Sequence, residues 1–423
     1  MLYQLHEFQK AILNPFTTLA DISSKAYSNP FSPLAHTPFS RRISAWFELM
    51  YRLGKAYEKP EFGITSVKCG DRELTVSQEI FESKPFCKLL HFKKVIPKGA
   101  ASLNAQPRVL VFAPLSGHHA TLLRDTVKTL LQDHDVFITD WVDARMVPLS
   151  EGNFSLDDYV HYCIDFIKLL GPNLHLVSVC QPTVPVLAAV SLMSSDDDPH
   201  LPKSMTMMGG PIDPRQSPTQ VNALAKQRPL SWFEKNVIYH VPHTYPGYLR
   251  KVYPGFLQHI GFVSMNPDRH VQSHYDFYLH LLEGDGESAE SHRQFYDEYN
   301  AVLDMPAQYY LDTIRIVFQD HALPLGKWKV RGKLVNPEDI KKVALFTIEG
   351  EKDDISGPGQ TQAAHNLCKN IPKHMQQDFL APKAGHYGIF SGRRWREVIY
   401  PKLQEFILKH DQPQQQRTRQ KSR

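Results

Sequence analysis

The run Leu174-His175-Leu176-Val177-Ser178-Val179-Cys180-Gln181-Pro182-Thr183 is the strongest indicator of this protein's architecture. An apolar, β-branched segment ends abruptly at a cysteine, and a segment compatible with a helix follows it. This order is typical of a nucleophile elbow, a sharp turn between strand and helix that lifts one side chain above a sheet. The pattern small-x-nucleophile-x-small reads Ser178-x-Cys180-x-Pro182 here. We therefore expect Cys180 to attack an ester or thioester carbonyl.

Strand-like and helix-like patterns alternate on both sides of this run. They lie at 108–113, 120–132, 136–141, 156–170, 205–208, 343–350 and 378–381. Such alternation requires a parallel sheet with helices on both faces. From about 215 to 338 the alternation stops, and aromatic, Pro and His residues become frequent. We therefore predict an α/β-hydrolase fold, with a mostly parallel sheet, helices on both faces and an inserted cap subdomain.

The same patterns divide the chain into four parts. Residues 1–60 form an N-terminal helical extension, 61–214 and 339–410 the α/β-hydrolase core, 215–338 the cap or lid insertion, and 411–423 a basic tail. The tail is poor in hydrophobic residues, which predicts disorder. Within the extension, 44–53 carries apolar residues at helical spacing, so we expect this helix to pack on a core.

Composition argues against several classes of protein. Of the 423 residues, 42% are hydrophobic and 22% are charged, which is ordinary for a globular domain. Five scattered cysteines suggest no disulfide framework and favour a reducing, cytoplasmic location. The N-terminus lacks the pattern of a secretory signal, and no run approaches the roughly 20 apolar residues of a membrane span. A formal charge of only +4, without zinc spacing, phosphate loop or helix-turn-helix pattern, predicts neither nucleic-acid binding nor a metal site.

Cys180 needs a base, because a thiol is mostly protonated at neutral pH. His386 lies in Ala384-Gly385-His386-Tyr387-Gly388, where glycines allow a loop to project an imidazole over the sheet. Asp353 directly follows an earlier predicted strand, which gives the order nucleophile, acid, histidine of an α/β hydrolase. Asp354 competes with Asp353, because adjacent carboxylates point in different directions. A cysteine after a strand is commonly an inert buried thiol, so only the three sites together predict a triad.

Acyl transfer also needs backbone donors for the oxyanion. The N–H of Gln181, directly after the nucleophile, is one candidate. Leu115 or Ser116, in the loop 113–119 after an early strand, offers the second, although such a loop also fits a plain tight turn. These residues are predicted to contribute through the backbone and not through their side chains.

The predicted cap is rich in amphipathic aromatic rings. Trp232, Tyr245 and Tyr248 stand in runs dense in Tyr, Phe, Pro and His. Rings of this kind line apolar grooves or contact apolar surfaces, and equally they pack a cap against its core. We take the three as candidate substrate contacts.

These motifs resemble the intracellular polyhydroxyalkanoate depolymerases and, more distantly, the polyester synthases that share their catalytic layout. The resemblance runs over nearly the whole chain. It is carried by Met1-Leu2-Tyr3-Gln4, Val179-Cys180-Gln181-Pro182, Asn300-Ala301-Val302-Leu303-Asp304-Met305-Pro306-Ala307-Gln308-Tyr309-Tyr310-Leu311, Gly350-Glu351-Lys352-Asp353-Asp354-Ile355 and Gly385-His386-Tyr387-Gly388-Ile389-Phe390-Ser391-Gly392. The family's Cys-Asp-His triad maps onto Cys180, Asp353 and His386.

The resemblance implies an activity that composition and spacing do not reach. It implies cleavage of stored amorphous poly(3-hydroxybutyrate) at the surface of cytoplasmic granules, through an acyl-thioester on Cys180, with release of 3-hydroxybutyrate monomers or oligomers. No cofactor is implied, but coenzyme A can replace water as the acyl acceptor. A homo-oligomer is left open.

Two alternatives remain open at this point. A polyester synthase or acyl-CoA transacylase would use the same triad, but synthases typically carry glycines where Ser178 and Pro182 stand, which favours degradation. A granule-binding protein with a vestigial, non-catalytic triad is the alternative from another class.

Overall fold

The computed structural model of this chain describes residues 2–96, 106–265 and 267–411. Its strands are β1 (Ser66–Cys69), β2 (Arg72–Lys84), β3 (Cys87–Val95), β4 (Arg108–Phe112), β5 (Asp135–Trp141), β6 (Leu174–Val179), β7 (Ser204–Met208), β8 (Tyr239–His240), β9 (Lys251–Tyr253), β10 (Met305–Pro306), β11 (Lys329–Val330), β12 (Lys333–Leu334), β13 (Ala344–Gly350) and β14 (Gln376–Ala381). Nine of them form one sheet in the order β1-β2-β3-β5-β4-β6-β7-β13-β14. From β5 to β14 in that order neighbours are parallel, and β1 to β3 extend the sheet antiparallel at one edge. The mostly parallel sheet predicted from the sequence is confirmed.

Helices surround this sheet and bury its central strands. They are α1 (Leu2–Ser28), α2 (Ser40–Gly54), α3 (Arg124–Leu130), α4 (Leu156–Leu170), α5 (Thr183–Ser195), α6 (Gln220–Gln227), α7 (Leu230–Asn236), α8 (Gly255–Met265), α9 (Pro267–Glu283), α10 (Gly286–Asn300), α11 (Ala307–Asp312), α12 (Ala364–Leu367), α13 (Gly392–Arg394) and α14 (Tyr400–Asp411). Every residue of β6, β7 and β13 is buried. Strands buried on both faces read as continuous apolar runs, and this is the pattern that the sequence shows there.

A long insertion separates two neighbouring strands of the sheet. The chain leaves the sheet at the end of β7 and returns at β13, which pairs in parallel with β7. Helices α6 to α11 and the small sheets β10-β9-β8 and β11-β12 lie between them in sequence. The predicted cap, 215–338, falls inside this insertion.

The N-terminal helices α1 and α2 form an antiparallel hairpin that docks on the insertion. Ser24 of α1 contacts Ser44 of α2 at 3.4 Å between their hydroxyl oxygens. Arg52 of α2 donates to Asp297 at 2.8 Å, and a second ion pair joins Arg293 to α2. Within the described residues, no helix is long and apolar enough to cross a membrane.

The packing of α2 differs from the expectation. Its buried residues are Ser44, Ala45 and Arg52, whereas Trp46 and Leu53 are exposed. The helix packs against α1 and the insertion largely through these small and charged residues, and Trp46 and Leu53 lie on a different side of the helix from that contact. The predicted disordered tail lies outside the described residues, apart from the helical residue 411.

Candidate active site

The turn after β6 holds Cys180 in a strained backbone conformation. Its φ is +67°, in the left-handed region, and its N–H donates to the carbonyl of Met208 at 2.7 Å. Helix α5 begins three residues later, at Thr183. Cys180 is half-buried, whereas the four other cysteines are buried. This is the geometry of an elbow that lifts one thiol above the sheet.

Two glycines after β7 make room for the elbow. A Cβ on Gly210 would lie 1.8 Å from Thr183 Oγ1 and 2.4 Å from the carbonyl oxygen of Cys180. Gly209 has a φ of +56°, and a Cβ there would lie 3.3 Å from Asp353 Oδ2. No side chain larger than hydrogen fits at Gly210 without moving the turn. Sequence reasoning missed this pair, although a Gly-Gly directly after a buried strand was the available signal.

His386 and Asp353 form a buried, directed pair. Asp353 follows β13, and His386 begins a short 3₁₀ turn after β14. His386 Nδ1 donates to Asp353 Oδ2 at 2.7 Å. The other carboxylate oxygen accepts the N–H groups of Ile355 and Ser356, each at 2.9 Å. Because Nδ1 is engaged, Nε2 is the nitrogen left for Cys180.

The electrostatics couple this pair to the thiol. Burial disfavours a charge on His386, but the negative charges of Asp353 and Cys180 and hydrogen bonds to both outweigh it, so the pKa of His386 is held well above its ordinary value. A histidine that binds a proton this strongly beside a cysteine is suited to act as the base for that cysteine. The structure therefore brings together the three residues expected from the sequence.

The structure distinguishes Asp353 from its neighbour. Asp353 is buried against His386, whereas Asp354 is exposed. The reason is the turn after β13, in which backbone N–H groups fix the Asp353 carboxylate. Asp353, and not Asp354, is therefore the carboxylate that lies against His386.

The predicted oxyanion residues lie at the same place. Leu115, Ser116 and Gln181 all line the cavity that contains Cys180. The loop after β4 is held in position because Tyr309 donates to the carbonyl of Leu115 at 3.0 Å. The three predicted residues therefore lie in the same cavity as Cys180.

His118 is a cavity residue that the sequence pattern does not single out. It lines the cavity, and its Nε2 lies 3.1 Å from the carbonyl of Tyr299, which can only accept. Burial lowers the pKa of His118 to about 4, so its ring stays neutral and does not compete with His386 as the base.

The cavity is about 450 Å³ in volume and is mainly apolar in character. Its Phe and Tyr lining consists of Phe233, Tyr253, Tyr309, Tyr310, Phe318, Tyr387 and Phe390. Most of these come from the insertion, so the insertion roofs the catalytic residues. A site of this size accepts a short segment of substrate and shields it from water.

The three cap residues chosen from the sequence are not among the cavity lining. Trp232 packs edge-on against Phe233 at 5.2 Å, Tyr245 donates to Glu7 at 3.0 Å, and Tyr248 is exposed. Adjacent helical residues point about 100° apart, so turning Phe233 inward turns Trp232 aside. Other aromatic residues of the insertion, such as Phe233 and Tyr310, line the cavity in place of the three that were predicted.

The strand order, the strained cysteine elbow and the Asp-His pair at the carboxyl ends of the strands define an α/β hydrolase. Residues 209–411 match the family model described as PHB de-polymerase C-terminus. These residues include Asp353 and His386, and the match confirms the resemblance to this family that was found in the sequence. Family and fold together make the protein a hydrolase that acts on esters.

Several solved structures are similar in overall fold. A 2-hydroxy-6-oxo-6-phenylhexa-2,4-dienoate hydrolase from Rhodococcus sp. strain RHA1 is 13% identical over 79% of this chain and 99% of that chain, with a TM-score of 0.41. A Paleococcus ferrophilus monoacylglycerol lipase is 12% identical over 72% and 94%, with a TM-score of 0.42. A thermophilic esterase from Thermogutta terrifontis is 12% identical over 82% and 98%, with a TM-score of 0.39. No curated protein matches the sequence significantly.

Proposed function

We propose that the protein is a depolymerase that cleaves the ester bonds of stored amorphous poly(3-hydroxybutyrate). The observation that carries this proposal is a cysteine on a left-handed elbow facing a buried His386–Asp353 pair, whose Nδ1–Oδ2 distance is 2.7 Å, in an apolar cavity. The family match adds the polyester as the substrate class.

In the first half-reaction, Cys180 transfers its proton to His386 Nε2, and the thiolate attacks the ester carbonyl. The oxyanion accepts hydrogen bonds from the N–H of Gln181 and from that of Leu115 or Ser116. When the tetrahedral intermediate collapses, the C–O bond breaks and the alkoxide takes the proton from His386. An acyl-thioester remains on Cys180.

In the second half-reaction, His386 removes a proton from water, and the resulting hydroxide attacks the thioester carbonyl. The C–S bond breaks, the thiolate is regenerated, and a free 3-hydroxybutyrate end leaves as monomer or oligomer. Coenzyme A attacking in place of water would give a coenzyme A thioester. No resident cofactor is needed for either route.

The test is incubation of amorphous poly(3-hydroxybutyrate) particles with the protein, with and without coenzyme A, followed by mass analysis of the products. We expect free acids or oligomers from the wild type and none from Cys180→Ala or His386→Ala. Cys69→Ala is the matched control, because Cys69 is a buried thiol far along the chain from the elbow. Undiminished product from Cys180→Ala would end the mechanism.

The same experiment separates the alternatives. Polymer growth from 3-hydroxybutyryl-coenzyme A would indicate a synthase, and coenzyme A thioesters would indicate thiolysis. A non-catalytic binding protein would give no product, and an acyl-thioester probe would not label Cys180. Selective labelling of Cys180 that survives in Cys69→Ala would exclude this last alternative.

A further inference from the structure

Helix α1 exposes a continuous apolar stripe. Leu5, Phe8, Ile12, Phe16 and Leu19 recur at intervals of three or four residues, and Phe16 is 67% exposed. That spacing places them on one side of an α-helix. With 27 residues, α1 is about 40 Å long, so the stripe covers much of its length. Soluble proteins rarely expose connected apolar surface of this kind without a partner.

Helix α2 adds a second stripe, made of Trp46, Met50 and Leu53, which are all exposed. The connection between the two helices contributes Phe31, which is 96% exposed, and Phe39 lies directly before α2. We name these side chains together with the α1 stripe the apolar plate.

Both stripes face the same side of the hairpin. On α2, Glu48 and Arg52 contact α10, and helical geometry turns them roughly 150° from the Trp46 stripe. On α1, Thr17 and Ser24 face α2 and lie roughly 130° from the exposed stripe. The two helices run antiparallel, so these angular offsets on α1 and on α2 place both stripes on the same side of the pair. That side faces away from the insertion.

The hairpin is anchored beside the active-site roof. Tyr3 donates to the buried carboxylate of Asp304 at 2.6 Å, and the ring of Tyr3 packs edge-on against Phe256 at 5.6 Å. Phe256 belongs to α8, whose residues Gln258 and Gly261 line the cavity. The plate is thus fixed to an element that lines the cavity containing Cys180.

We propose that the apolar plate adsorbs the protein to the surface of condensed, uncharged polyester. This inference rests on the proposed function, because a cavity of about 450 Å³ admits only a short polymer segment and the bulk phase must be held outside. On α1, which carries the longer stripe, Glu7 and Asp21 balance Lys10 and Lys25, so this helix lacks the basic excess that attracts anionic lipid. Arg41 and Arg42 at the start of α2 are the basic residues of the plate's surroundings, with Arg42 over the ring of Phe39, and the vesicle measurement below tests their contribution.

The test measures sedimentation with protein-free amorphous poly(3-hydroxybutyrate) particles, in a Cys180→Ala background so that the polymer stays intact. Phe16→Glu/Trp46→Glu alters the plate. Leu169→Glu/Leu408→Glu is the matched control, since both leucines are about half exposed outside the hairpin. We expect the plate variant to lose at least about tenfold in affinity, because it removes apolar burial and adds charges that must be desolvated. The control should bind like the parent.

Parallel measurements separate this inference from the proposed function. In the Cys180-containing protein, the plate variant should retain turnover of a soluble 3-hydroxybutyrate ester, which also shows that it folds. If it does not fold, Phe8→Gln/Phe31→Gln tests the same surface without added charge. Unchanged particle binding by the folded plate variant would overturn the inference and leave the triad untouched.

Two further results would also overturn it. In the first, the plate variant would convert a dimer into a monomer without losing particle binding, which would make the plate an interface between two copies of this chain. In the second, the parent would bind anionic phospholipid vesicles as tightly as it binds polymer, which would make lipid the occupant.

Discussion

Replacing Asp353 with asparagine removes one negative charge while keeping the shape of the side chain. In the native site, Oδ2 accepts from His386 Nδ1 at 2.7 Å, and Oδ1 accepts from the backbone N–H groups of Ile355 and Ser356. Those N–H groups would hold the amide oxygen of the asparagine in place. Its NH₂ group would then face Nδ1 as a donor, and the imidazole proton would move to Nε2, where it blocks acceptance of the Cys180 proton.

The magnitude of the effect follows from two contributions. A hydrogen bond to a charged group contributes about 1.5–3 kcal/mol, which corresponds to roughly 10- to 150-fold in rate. In serine triads, the loss including the wrong tautomer reaches about 10⁴-fold. A thiol gives up its proton more readily than a hydroxyl, so the base matters less here. We expect kcat to fall about 10²- to 10³-fold.

The assay is steady-state turnover of a soluble 3-hydroxybutyrate ester, with Asp354→Asn as the matched control. The Asp354 side chain is exposed one residue away, so its variant should remain close to wild type. The reasoning would be refuted if Asp353→Asn kept more than roughly a tenth of the wild-type kcat, or if Asp354→Asn lost as much as Asp353→Asn.

Three other changes test the stability of the site and of the hairpin. Gly210→Ala would bring a Cβ to 1.8 Å from Thr183 Oγ1, so we expect urea unfolding to show a loss of about 3 kcal/mol, whereas Gly388→Ala, with its nearest atom at 3.9 Å, should be close to neutral. Equal losses for the two would argue against steric crowding at the elbow. The raised pKa of His386 means that the folded state binds its proton more tightly than the unfolded state. The stability advantage of wild type over His386→Gln should therefore be complete below about pH 6.5 and shrink as the pH rises through the folded pKa, and an advantage that grows with pH would contradict this sign. Arg52→Met breaks the 2.8 Å ion pair between the buried Arg52 and the partly exposed Asp297, and should reduce the free energy of unfolding by about 1–3 kcal/mol in the same urea assay. A smaller loss is expected for Arg52→Lys, and no loss would show that the hairpin docks without this ion pair.

The sequence was sufficient for the features that depend on the order of elements. The apolar run before Cys180 predicted β6, and the placement of Asp353 and His386 after later strands predicted where their side chains would meet. Parallel strands end at one edge of a sheet, so residues distant in sequence are brought together by topology alone. This is why a plain alternation of strand and helix patterns located the candidate site.

The features that depend on rotation about an element could not be predicted in this way. Whether Trp232 or Phe233 faces the cavity depends on how α7 is rotated against α11, and no local pattern records that angle. The same limit applies to α2, where apolar spacing identified an amphipathic helix but not which side is covered. Arg52 occupies the buried side because it finds a carboxylate partner on the insertion. The apolar spacing therefore did not show that Trp46 lies on the exposed side of α2.

The two departures from a glycine-flanked elbow have a physical explanation in the structure. The Ser178 hydroxyl is buried and donates to the carbonyl of Thr206 at 3.2 Å, so the position accepts a side chain that ties β6 to β7. Pro182 has a φ of −59°, which its ring favours, and it leaves no N–H to be satisfied at the start of α5. Neither residue strains the turn. The strain lies at Cys180 itself. Gly210, just after the end of the neighbouring strand β7, provides the space that the elbow needs. Because Ser178 and Pro182 occupy positions where other elbows have glycines, this elbow depends more heavily on Gly210, which packs against it.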